Sequence, residues 1–508
     1  MSTVLGIDVG TSGTKIVAIG ENGNIIASVT KTYELISPKP GWAQQNPQDW
    51  KKAVFEGIKE ITSKLPKGDV CSIGLTGQMH GSVFLDEGGN VLYPAILWCD
   101  QRTAKQCEEI TKKVGEKELI EMVSNPALTG FTAPKILWLR EEEPEVYKKV
   151  KHVLLPKDYI RYELTGEFAS DVADSSGTLL FDVKNRKWHE ELLSILEIPI
   201  EWLPKTYEGP EVTGTIKADI AKELGLSSET LVIAGGGDQA AGGVGCGVVK
   251  PGIVSASLGT SGVVFAFSET VHTDPEGRVH TFCHSVPGAW HVMGVMLSAG
   301  GSLQWFRNKL CSEEVALSQK TGVDPYVYIT ASAEKVPPGS AGLIFLPYLT
   351  GERTPHKDPY ARGAFIGLSL MHGKAEMARA ILEGVAFGMR DSVEIMKGMG
   401  IPITQIRISG GGARSPLWRQ IMADVCNVPI VTINIDEGPA FGAGLLASIA
   451  AGMFSSLTEA CETVIREIDQ TNPIPQNVEE YEFWYQEFKS AYRTLAPAYK
   501  KIGKKLGL

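Results

Sequence analysis

The sequence has 508 residues, several times the roughly 100–150 residues of a typical domain, so we expect at least two domains. Its hydrophobic fraction of 43% and charged fraction of 21% are those of a globular protein and exclude disordered and collagen-like chains. A net charge of −10 disfavours non-specific binding to nucleic acid, although backbone amide groups can still bind an anionic ligand locally.

The cysteines and the first residues bear on the location of the protein. Eight cysteines are spread along the chain with no Cys-x-x-Cys pair, which favours reduced thiols over a disulfide framework. The first residues include no basic segment, and Asp8 interrupts the first apolar run, so we expect no secretory signal. No uncharged stretch is apolar enough to cross a bilayer. We therefore expect a cytoplasmic protein that binds neither membranes nor nucleic acid.

The chain opens with a predicted β-hairpin. Apolar residues over 4–9 and 16–19 flank the turn Gly10-Thr-Ser-Gly13 on both sides. The same tetrapeptide recurs half a chain later at Gly259-Thr-Ser-Gly262, again with apolar residues on both sides. This repetition predicts a duplicated domain in which each copy begins with a strand, a glycine turn and a second strand. We place the two domains at residues 1–247 and 248–508.

Further strands and helices alternate along both halves, which predicts an α/β fold. Apolar runs predict strands at 70–75, 91–97, 153–155, 231–234 and 406–409. Helical patterns predict helices at 104–114, 133–143, 375–396 and 416–426. The last strand runs directly into the glycine cluster 410–412, which is either a ligand-binding turn or a plain connection from strand to helix.

Several common catalytic motifs are absent from the sequence. It contains no P-loop, no dinucleotide-binding Gly-x-Gly-x-x-Gly, no Gly-x-Ser-x-Gly, no His-Glu-x-x-His and no protein-kinase motif. A metal site could be built from His280, Cys283, His284 and His291. That segment has the pattern of an extended strand, so we expect these side chains to have a structural role.

Two aspartates lie beside glycine-rich segments. Asp8 precedes the first hairpin turn, and Asp238 follows Gly235–Gly237. A turn of Gly and Thr offers amide and hydroxyl groups to phosphate, and an adjacent Asp can hold Mg²⁺ directly or through water. Each aspartate could instead be a turn-forming residue. Because the pattern occurs twice, we favour a phosphate-handling site.

Two longer segments point to a family. The first half contains Gly130-Phe-Thr-Ala-Pro-Lys-Ile-Leu-Trp-Leu139, and the second contains Gly363-Ala-Phe-Ile-Gly-Leu368 followed by Glu376-Met-Ala-Arg-Ala-Ile-Leu-Glu383. With these segments and the two hairpins, the sequence resembles the FGGY family of carbohydrate kinases, in the actin-like ATPase superfamily, over essentially its whole length. The resemblance implies an α/β fold of two ribonuclease-H-like domains with an interdomain cleft, with the sugar on the first domain and ATP on the second.

The segment Gln78-Met79-His80-Gly81 narrows the substrate. It is similar to the ketopentose site of the xylulose kinases (xylulokinases) of the family, whereas glycerol kinases have an Arg-Glu pair in place of Met79 and His80. The resemblance implies phosphorylation of D-xylulose to D-xylulose 5-phosphate by ATP, in pentose catabolism. Gln239, where some xylulose kinases have Asn, leaves the polyol preference open. The alternatives are a kinase for ribulose, gluconate or glycerol, and a non-catalytic sugar sensor.

The resemblance also implies roles for individual residues. Asp238 would be the catalytic base that accepts the proton of the sugar hydroxyl, and Asp8 would be a catalytic residue that binds Mg²⁺. The sugar contacts would be Gln78, Met79, His80, Asp238 and Gln239, with weaker support for Trp98, Asp100 and Arg102. The ATP contacts would be Thr11, Ser12, Lys15, Gly259, Thr260, Ser261, Gly300, Gln304, Gly411, Gly412 and Ser415. A homodimer is also implied.

Overall fold

The computed structural model describes residues 2–435 and 438–506. Its strands are β1 (Thr3–Val9), β2 (Gly13–Ile19), β3 (Ile25–Thr32), β4 (Gln44–Gln45), β5 (Val70–Gly77), β6 (Val83–Leu85), β7 (Ala95–Ile96), β8 (His152–Leu154), β9 (Ala169–Asp171), β10 (Phe181–Asp182), β11 (Lys187–Trp188), β12 (Lys205–Tyr207), β13 (Val212–Thr215), β14 (Leu231–Ile233), β15 (Gly236–Gly237), β16 (Gly252–Leu258), β17 (Gly262–Ser268), β18 (His280–Cys283), β19 (Trp290–Met296), β20 (Ile344–Leu346), β21 (Ala364–Ile366), β22 (Ile403–Ser409), β23 (Ile430–Ile433) and β24 (Glu467–Thr471). Its helices are α1 (Pro47–Thr62), α2 (Ala104–Val114), α3 (Glu116–Val123), α4 (Thr132–Glu142), α5 (Pro144–Tyr147), α6 (Pro156–Thr165), α7 (Val172–Ser175), α8 (Glu190–Leu196), α9 (Ala218–Leu224), α10 (Asp238–Gly245), α11 (Gly300–Leu310), α12 (Ser312–Thr321), α13 (Pro325–Ala333), α14 (Lys374–Gly398), α15 (Pro416–Cys426), α16 (Gly438–Ala450), α17 (Leu457–Val464) and α18 (Pro475–Leu506).

The chain divides into two compact units. As far as their residues are described, unit 1 is made of 1–250, 267–291 and 435–466, and unit 2 of 251–266, 292–434 and 467–508. Each unit has a mixed β-sheet and helices, so the predicted α/β class is confirmed. Unit 1 includes two segments from the second half of the sequence. The proposed domain boundary between residues 247 and 248 stays a prediction.

The sheet of unit 1 is built around β1. Its strand order is β13-β14-β5-β1-β2-β3, and the short strand β15 also pairs with β5. Strands β1 and β2 form the predicted antiparallel hairpin, and β5 lies parallel to β1 on its other side. The apolar residues of β1 are fully buried, as is usual for a central strand covered on both faces. The parallel pairing brings the carboxyl ends of β1 and β5 to one edge of the sheet.

Helix α16 packs against this sheet with its backbone in direct contact with the strands. A Cβ atom at Gly6 of β1 would overlap the carbonyl oxygen of Ala440, and a Cβ at Gly74 of β5 would overlap the next turn of the helix. Helix α10 meets α16 equally closely, because a Cβ at Gly442 would overlap the carbonyl oxygen of Ala241. Only glycine allows the backbones to approach this far.

The sheet of unit 2 repeats the strand pattern of unit 1. It contains strands in the order β19-β17-β16-β22-β23-β24. Strands β16 and β17 form the second predicted hairpin, and β22 lies parallel to β16 just as β5 lies parallel to β1. This common arrangement of a hairpin and a parallel third strand agrees with the duplication inferred from the repeated turn.

Most predicted elements are present, and their ends agree with the structure to within a few residues. The helices predicted at 104–114 and 416–426 are α2 and α15, with the same ends, and those predicted at 133–143 and 375–396 are α4 and α14. The strand predicted at 91–97 is not continuous: Val91 forms an isolated bridge with Leu85, and Ala95 and Ile96 form β7, which pairs with β4. Pro94 has no backbone N–H and cannot donate to a strand ladder.

Two observations concern the membrane and the thiols. No helix in the described parts of the chain is long and apolar enough to span a membrane. None of the eight cysteines, which all lie in the described parts of the chain, forms a disulfide.

We predict that Gly442→Ala lowers the unfolding temperature, because the new Cβ would displace the backbone of α10. Overpacking a dense interior costs roughly 1–3 kcal/mol. Gly242→Ala, on α10 itself, is the matched control, since its Cβ would meet Pro439 Cγ at 3.6 Å, an ordinary contact. Differential scanning calorimetry compares the two variants, and equal unfolding temperatures would contradict the close packing.

Candidate active site

Asp8 and Asp238 lie at the same edge of the sheet in unit 1. Asp8 is close to the end of β1 and pairs in register with Thr76 of β5. On the other side of β5, Gly236 of β15 pairs with the same threonine, and Asp238 follows two residues later as the first residue of α10. The carboxyl ends of parallel strands are the usual position of ligand sites in open α/β sheets. The structure therefore brings the two predicted carboxylates to one such edge.

Both carboxyl groups are half-buried and bind protons more tightly than usual. Burial raises the pKa of Asp8 to about 7; the charge of Asp238 adds to the rise and Lys15 opposes it. Burial raises the pKa of Asp238 to about 6, and hydrogen bonds from the backbone and side chain of Gln239 limit the rise. Among the described residues, Oδ1 of Asp8 is buried without a hydrogen-bond partner. Two acidic groups in this state favour binding of a proton or a cation.

The predicted phosphate-binding turn lies at the end of β1. The Gly10 amide donates a hydrogen bond to the Gly13 carbonyl at 3.1 Å, which closes the turn. Thr11 and Ser12 form its tip, where Ser12 is exposed. Lys15 pairs in register, across the hairpin, with the first of the two carboxylates. Amide, hydroxyl and ammonium groups therefore lie at the same end of β1 as that carboxylate.

Gln78 and Trp98 both contact the turn. The buried side chain of Gln78 donates to Gln45 Oε1 at 3.1 Å and accepts from the Thr11 hydroxyl at 3.3 Å. Trp98, which is exposed, donates its indole N–H to Thr11 Oγ1 at 3.0 Å. The side chain of Gln78 is thus held within the protein, where it supports the shape of the turn.

Met79 lies at the start of α10, and His80 follows it in the chain and contacts Phe131 and Gly177. Met79 is buried, and a Cβ at Gly237 would come within 2.8 Å of its Cγ. His80 has a left-handed backbone with φ of 68°, its ring packs edge-on against Phe131, and its Nδ1 lies 2.6 Å from the Gly177 carbonyl oxygen. Because a carbonyl oxygen only accepts, Nδ1 must carry a proton, and in the neutral form of the ring Nε2 would be an acceptor.

Asp100 and Arg102, considered above for the sugar pocket, form an internal ion pair. Arg102 donates through Nε and Nη2 to the Asp100 carboxylate at 2.8–3.0 Å, and both side chains are buried. The guanidinium stacks over Trp42 at 3.7 Å, and the Ala43 amide donates to Asp100 Oδ2 at 2.6 Å. These contacts give the pair a structural role, and its contact with a sugar stays a prediction.

Unit 2 contains a cavity of about 560 Å³, a volume that suits a small-molecule ligand. The predicted residues that line it are Gly259, Thr260, Gly300, Gln304, Gly411, Gly412 and Ser415. The Gly300 amide donates to the Gly259 carbonyl at 2.8 Å, which sets the start of α11 directly on the second glycine turn. Ser261 is exposed and is not one of the lining residues in the part of the chain that the structure describes.

One wall of this cavity was missed by the sequence analysis. Helix α13 contributes Asp324, Tyr326, Val327 and Thr330, and the Arg307 guanidinium lies over the Tyr326 ring at 4.8 Å. The Asp-Pro pair at its start is a signal for a helix, because Asp caps the first turn and Pro fits there. That signal locates the helix along the chain and says nothing of the cavity beside it.

The histidines of residues 280–291 lie in the interior of unit 1. His280 Nδ1 is 3.0 Å from Asn125 Oδ1, and His284 Nε2 is 3.1 Å from the Val248 carbonyl oxygen. Burial lowers the pKa of His284 to about 3, so its ring is neutral. Over residues 2–435 and 438–506, no group of three or more His, Cys, Asp or Glu side chains is placed to hold a metal ion.

Two family models match the two halves of the chain. The N-terminal domain of the FGGY family of carbohydrate kinases matches residues 3–245, and the C-terminal domain of the same family matches residues 254–451. The chain belongs to the FGGY family of carbohydrate kinases. The membership predicted from the sequence motifs is confirmed.

Relatives of this carbohydrate kinase match it along nearly their whole length. Xylulose kinase of Escherichia coli (strain K12) is 40% identical over 495 residues, which are 97% of this chain and 99% of the relative. Gluconokinase of Bacillus subtilis (strain 168) is 32% identical over 503 residues, 99% of this chain and 98% of the relative. The ligand-bound xylulose kinase from Lactobacillus acidophilus has a TM-score of 0.92 and 30% identity, covering 99% of this chain and 100% of that one.

We predict that Asp8→Asn makes this kinase more stable at alkaline pH. The pKa of Asp8 is raised from 3.8 to about 7 in the folded protein, so the folded state binds the proton more tightly and loses stability as pH rises through that interval. The neutral variant does not incur this loss. In buffer without divalent cations, it should unfold at a higher temperature than the wild type at pH 8 and at the same temperature near pH 4.

Asp86→Asn is the control, because the opposite change in stability at pH 8 is expected for it. Hydrogen bonds from Asn90 and Gly88 lower the pKa of Asp86, so its ionised form stabilises the folded protein above the ordinary Asp pKa. This variant should lose stability at pH 8. Thermal unfolding at both pH values tests the pair, and an Asp8→Asn variant that unfolds before the wild type at pH 8 would contradict the raised pKa.

Proposed function

We propose that this kinase transfers the γ-phosphoryl group of ATP to a terminal hydroxyl of D-xylulose, giving D-xylulose 5-phosphate. The observation that carries the proposal is the placement of Met79 beside Gly237, the residue that precedes Asp238, with His80 next to it against Gly177. The relatives described above support the same substrate, since the xylulose kinase is more similar to this chain than the gluconokinase.

Asp238 is the proposed catalytic base. With a pKa of about 6 it is ionised at neutral pH, yet it accepts a proton more readily than an ordinary aspartate. Phosphoryl transfer through a loose transition state needs mainly positioning and charge neutralisation. The carboxylate therefore has to align the sugar hydroxyl and take its proton late in the transfer.

Met79 and His80 are the proposed walls of the sugar site, with Gln239 as a further polar contact. The thioether of Met79 offers an apolar surface without fixed charge, which suits a longer sugar chain. His80 donates through Nδ1 to the Gly177 carbonyl, so its Nε2 would accept a hydrogen bond from a sugar hydroxyl. A role of Gln78 in direct sugar binding stays a prediction.

The residues around Asp8 fit a divalent cation. Its unpartnered buried oxygen and the nearby negative charge of Asp238 favour a cation, and Mg²⁺ takes one or two carboxylates while it keeps several waters. Asp8 would hold the ion, which neutralises phosphate charge when bound. The proposed phosphate-binding residues are Thr11, Ser12 and Lys15 in unit 1 and Gly259, Thr260 and Ser261 in unit 2.

The cavity of unit 2 is the proposed adenosine site. Gly300, Gln304, Gly411, Gly412 and Ser415 would contact the nucleoside, and the α13 wall would complete the pocket. Glycine in the turns lets a flat base and a ribose pack directly on the backbone. The cytoplasmic location and the homodimer stay predictions.

Asp238→Ala is expected to lower kcat by about 10²–10⁴-fold, the usual effect of removing a positioned general base. ATP binding should be unchanged, because the proposed adenosine site is built by other residues. A coupled ADP-release assay measures turnover, calorimetric titration measures ATP binding, and Asp86→Ala is the control. Near-normal turnover of the Asp238 variant would remove its assignment as the base.

We expect D-xylulose to exceed glycerol and D-gluconate by at least roughly tenfold in kcat/KM. A site built for particular hydroxyl groups leaves buried polar groups unpaired with other polyols, at about 1–3 kcal/mol each. His80→Ala should narrow the difference by weakening the reaction with xylulose, whereas His272→Ala, whose ring contacts Thr270, should not. Higher activity with gluconate or glycerol would assign a different substrate, and sugar binding without turnover would indicate a sensor.

A further inference from the structure

A fully buried cluster of charged residues lies behind the proposed sugar site in unit 1. It consists of Lys157, Asp158, Arg161, Asp171 and Asp174, whose side chains have no solvent exposure. Lys157 Nζ lies 2.5 Å from Asp158 Oδ1 and 2.5 Å from Asp171 Oδ2, and Arg161 Nη1 lies 2.5 Å from Asp158 Oδ1. Two cations are therefore in short contact with two carboxylates.

Asp174 is the third carboxyl group of the cluster and the least engaged. Its Oδ2 is 3.6 Å from Lys157 Nζ, and neither of its carboxyl oxygens has a hydrogen-bond partner within the described residues. A third negative charge beside two cations would be uncompensated at a side chain with no solvent exposure, which is far more costly than keeping a proton. Burial raises the pKa of Asp174 well above its usual value; the neighbouring carboxylates add to the rise and Lys157 opposes it.

The elements that pack around this cluster supply no further cation in the described chain. Arg186 interacts with Asp171 but is paired with Glu208 through hydrogen bonds of 2.7 and 2.8 Å. From β18, the amide of Cys283 donates to the hydroxyl of Ser176 at 3.0 Å. Burial raises the pKa of the Cys283 thiol to about 11, so it is uncharged. Within the cluster, two cations therefore face three carboxyl groups.

Asp174 also lies directly beside the proposed base. A Cβ at Gly237 would come 3.2 Å from Asp174 Oδ1, and Gly237 immediately precedes Asp238. Three residues after Asp174, the Gly177 carbonyl accepts the hydrogen bond from His80. One short segment, which includes α7, thus contacts both the start of α10 and the proposed sugar-binding histidine.

We propose that Asp174 keeps a proton at neutral pH and acts as a positioning residue, an uncharged carboxyl group that packs at Gly237 and leaves Asp238 as the ionised carboxylate at the start of α10. The inference rests on the proposed function for the role of Asp238 as base. An ionised Asp174 would raise the pKa of Asp238 by repulsion and leave the base protonated under working conditions. Asp238 therefore stays ionised, and able to accept a proton, only if Asp174 is uncharged.

The protonation state is tested without any substrate. Infrared difference spectra of wild type against Asp174→Asn at pH 7.5 should show the carbonyl stretch of one protonated carboxyl group, which Asp86→Asn, at an ionised aspartate outside the cluster, retains. Asp171 is the matched control for stability, because it lies in the same cluster at 2.5 Å from Lys157. Asp174→Asn should unfold within about 2 °C of the wild type and Asp171→Asn at least about 4 °C lower. A missing band, or equal destabilisation of both variants, overturns the proposal.

The positioning role is tested by activity. Asp174→Leu replaces the two carboxyl oxygens by methyl groups in a side chain of similar shape. This variant should lower kcat/KM for D-xylulose at least roughly tenfold and leave the KM for ATP unchanged. Asp174→Asn should recover most of this loss and keep the acidic limb of the pH profile in place. A limb that moves to lower pH in the Asn variant means that a negative charge was removed and overturns the proposal, as does a Leu variant as active as the wild type.

The test of Asp174 does not depend on which sugar the kinase phosphorylates. If the wild type phosphorylates another sugar and not xylulose, the proposed substrate is wrong; that sugar then replaces xylulose in the activity test, and the predictions for the Asp174 variants are unchanged. If Asp174→Leu does not fold, the infrared band and the two asparagine variants still decide the protonation state.

Discussion

The direct backbone contact of α16 with β1, β5 and α10 is the constraint on which the geometry of unit 1 depends. Glycine at Gly6, Gly74 and Gly442 removes the side chains that would hold these elements apart. Because β1 carries Asp8 close to its end and α10 begins with Asp238, the same helix sets the positions of both carboxylates. Phosphoryl transfer depends on alignment of the reacting atoms, so a rigid, close-packed support is what such a site needs.

The charges at this site oppose the stability of the fold. Burial of Asp8 and Asp238 raises the pKa of each, so the ionised forms that the proposed cation binding and proton transfer require cost folding free energy at neutral pH. The cluster behind them shows the opposite arrangement, because Lys157 and Arg161 lie in short contact with two of its carboxylates. Charge is thus compensated where the protein is closed and left uncompensated where a ligand is expected.

The two units share one strand pattern but carry different residues at the end of it. In unit 1 the hairpin and its parallel third strand place ionisable side chains at the end of the sheet. In unit 2 the same pattern places backbone groups of Gly259 and Gly300 against each other and leaves a cavity lined largely by glycine and uncharged side chains. Charged groups suit the proposed reaction centre, whereas a lining that is mainly uncharged, apart from Asp324 and Arg414, suits the flat, weakly polar surface of the proposed nucleoside.

The sequence by itself determined the features that depend on neighbouring residues. Both hairpins, helices α2 and α15 and the family follow from local patterns of apolar residues, glycine turns and contiguous motifs, because such patterns act over a few residues. Even there, the strand predicted at 91–97 is interrupted at Pro94, because proline has no N–H to donate to a strand ladder. The glycines that line the cavity of unit 2 were also predicted, because their motifs are local.

Only the tertiary structure decided which distant residues meet. It placed residues 435 and 438–466 in unit 1, gave the cavity its α13 wall, and paired Asp100 with Arg102 inside the protein. It also brought the Gly177 carbonyl to His80, which fixes the position of a proton on that ring, and placed Asp174 at 3.6 Å from Lys157 with no hydrogen-bond partner among the described residues. A carboxylate in a sequence looks the same whether it will face a ligand or a lysine, because its role depends on packing between residues that are far apart in the chain.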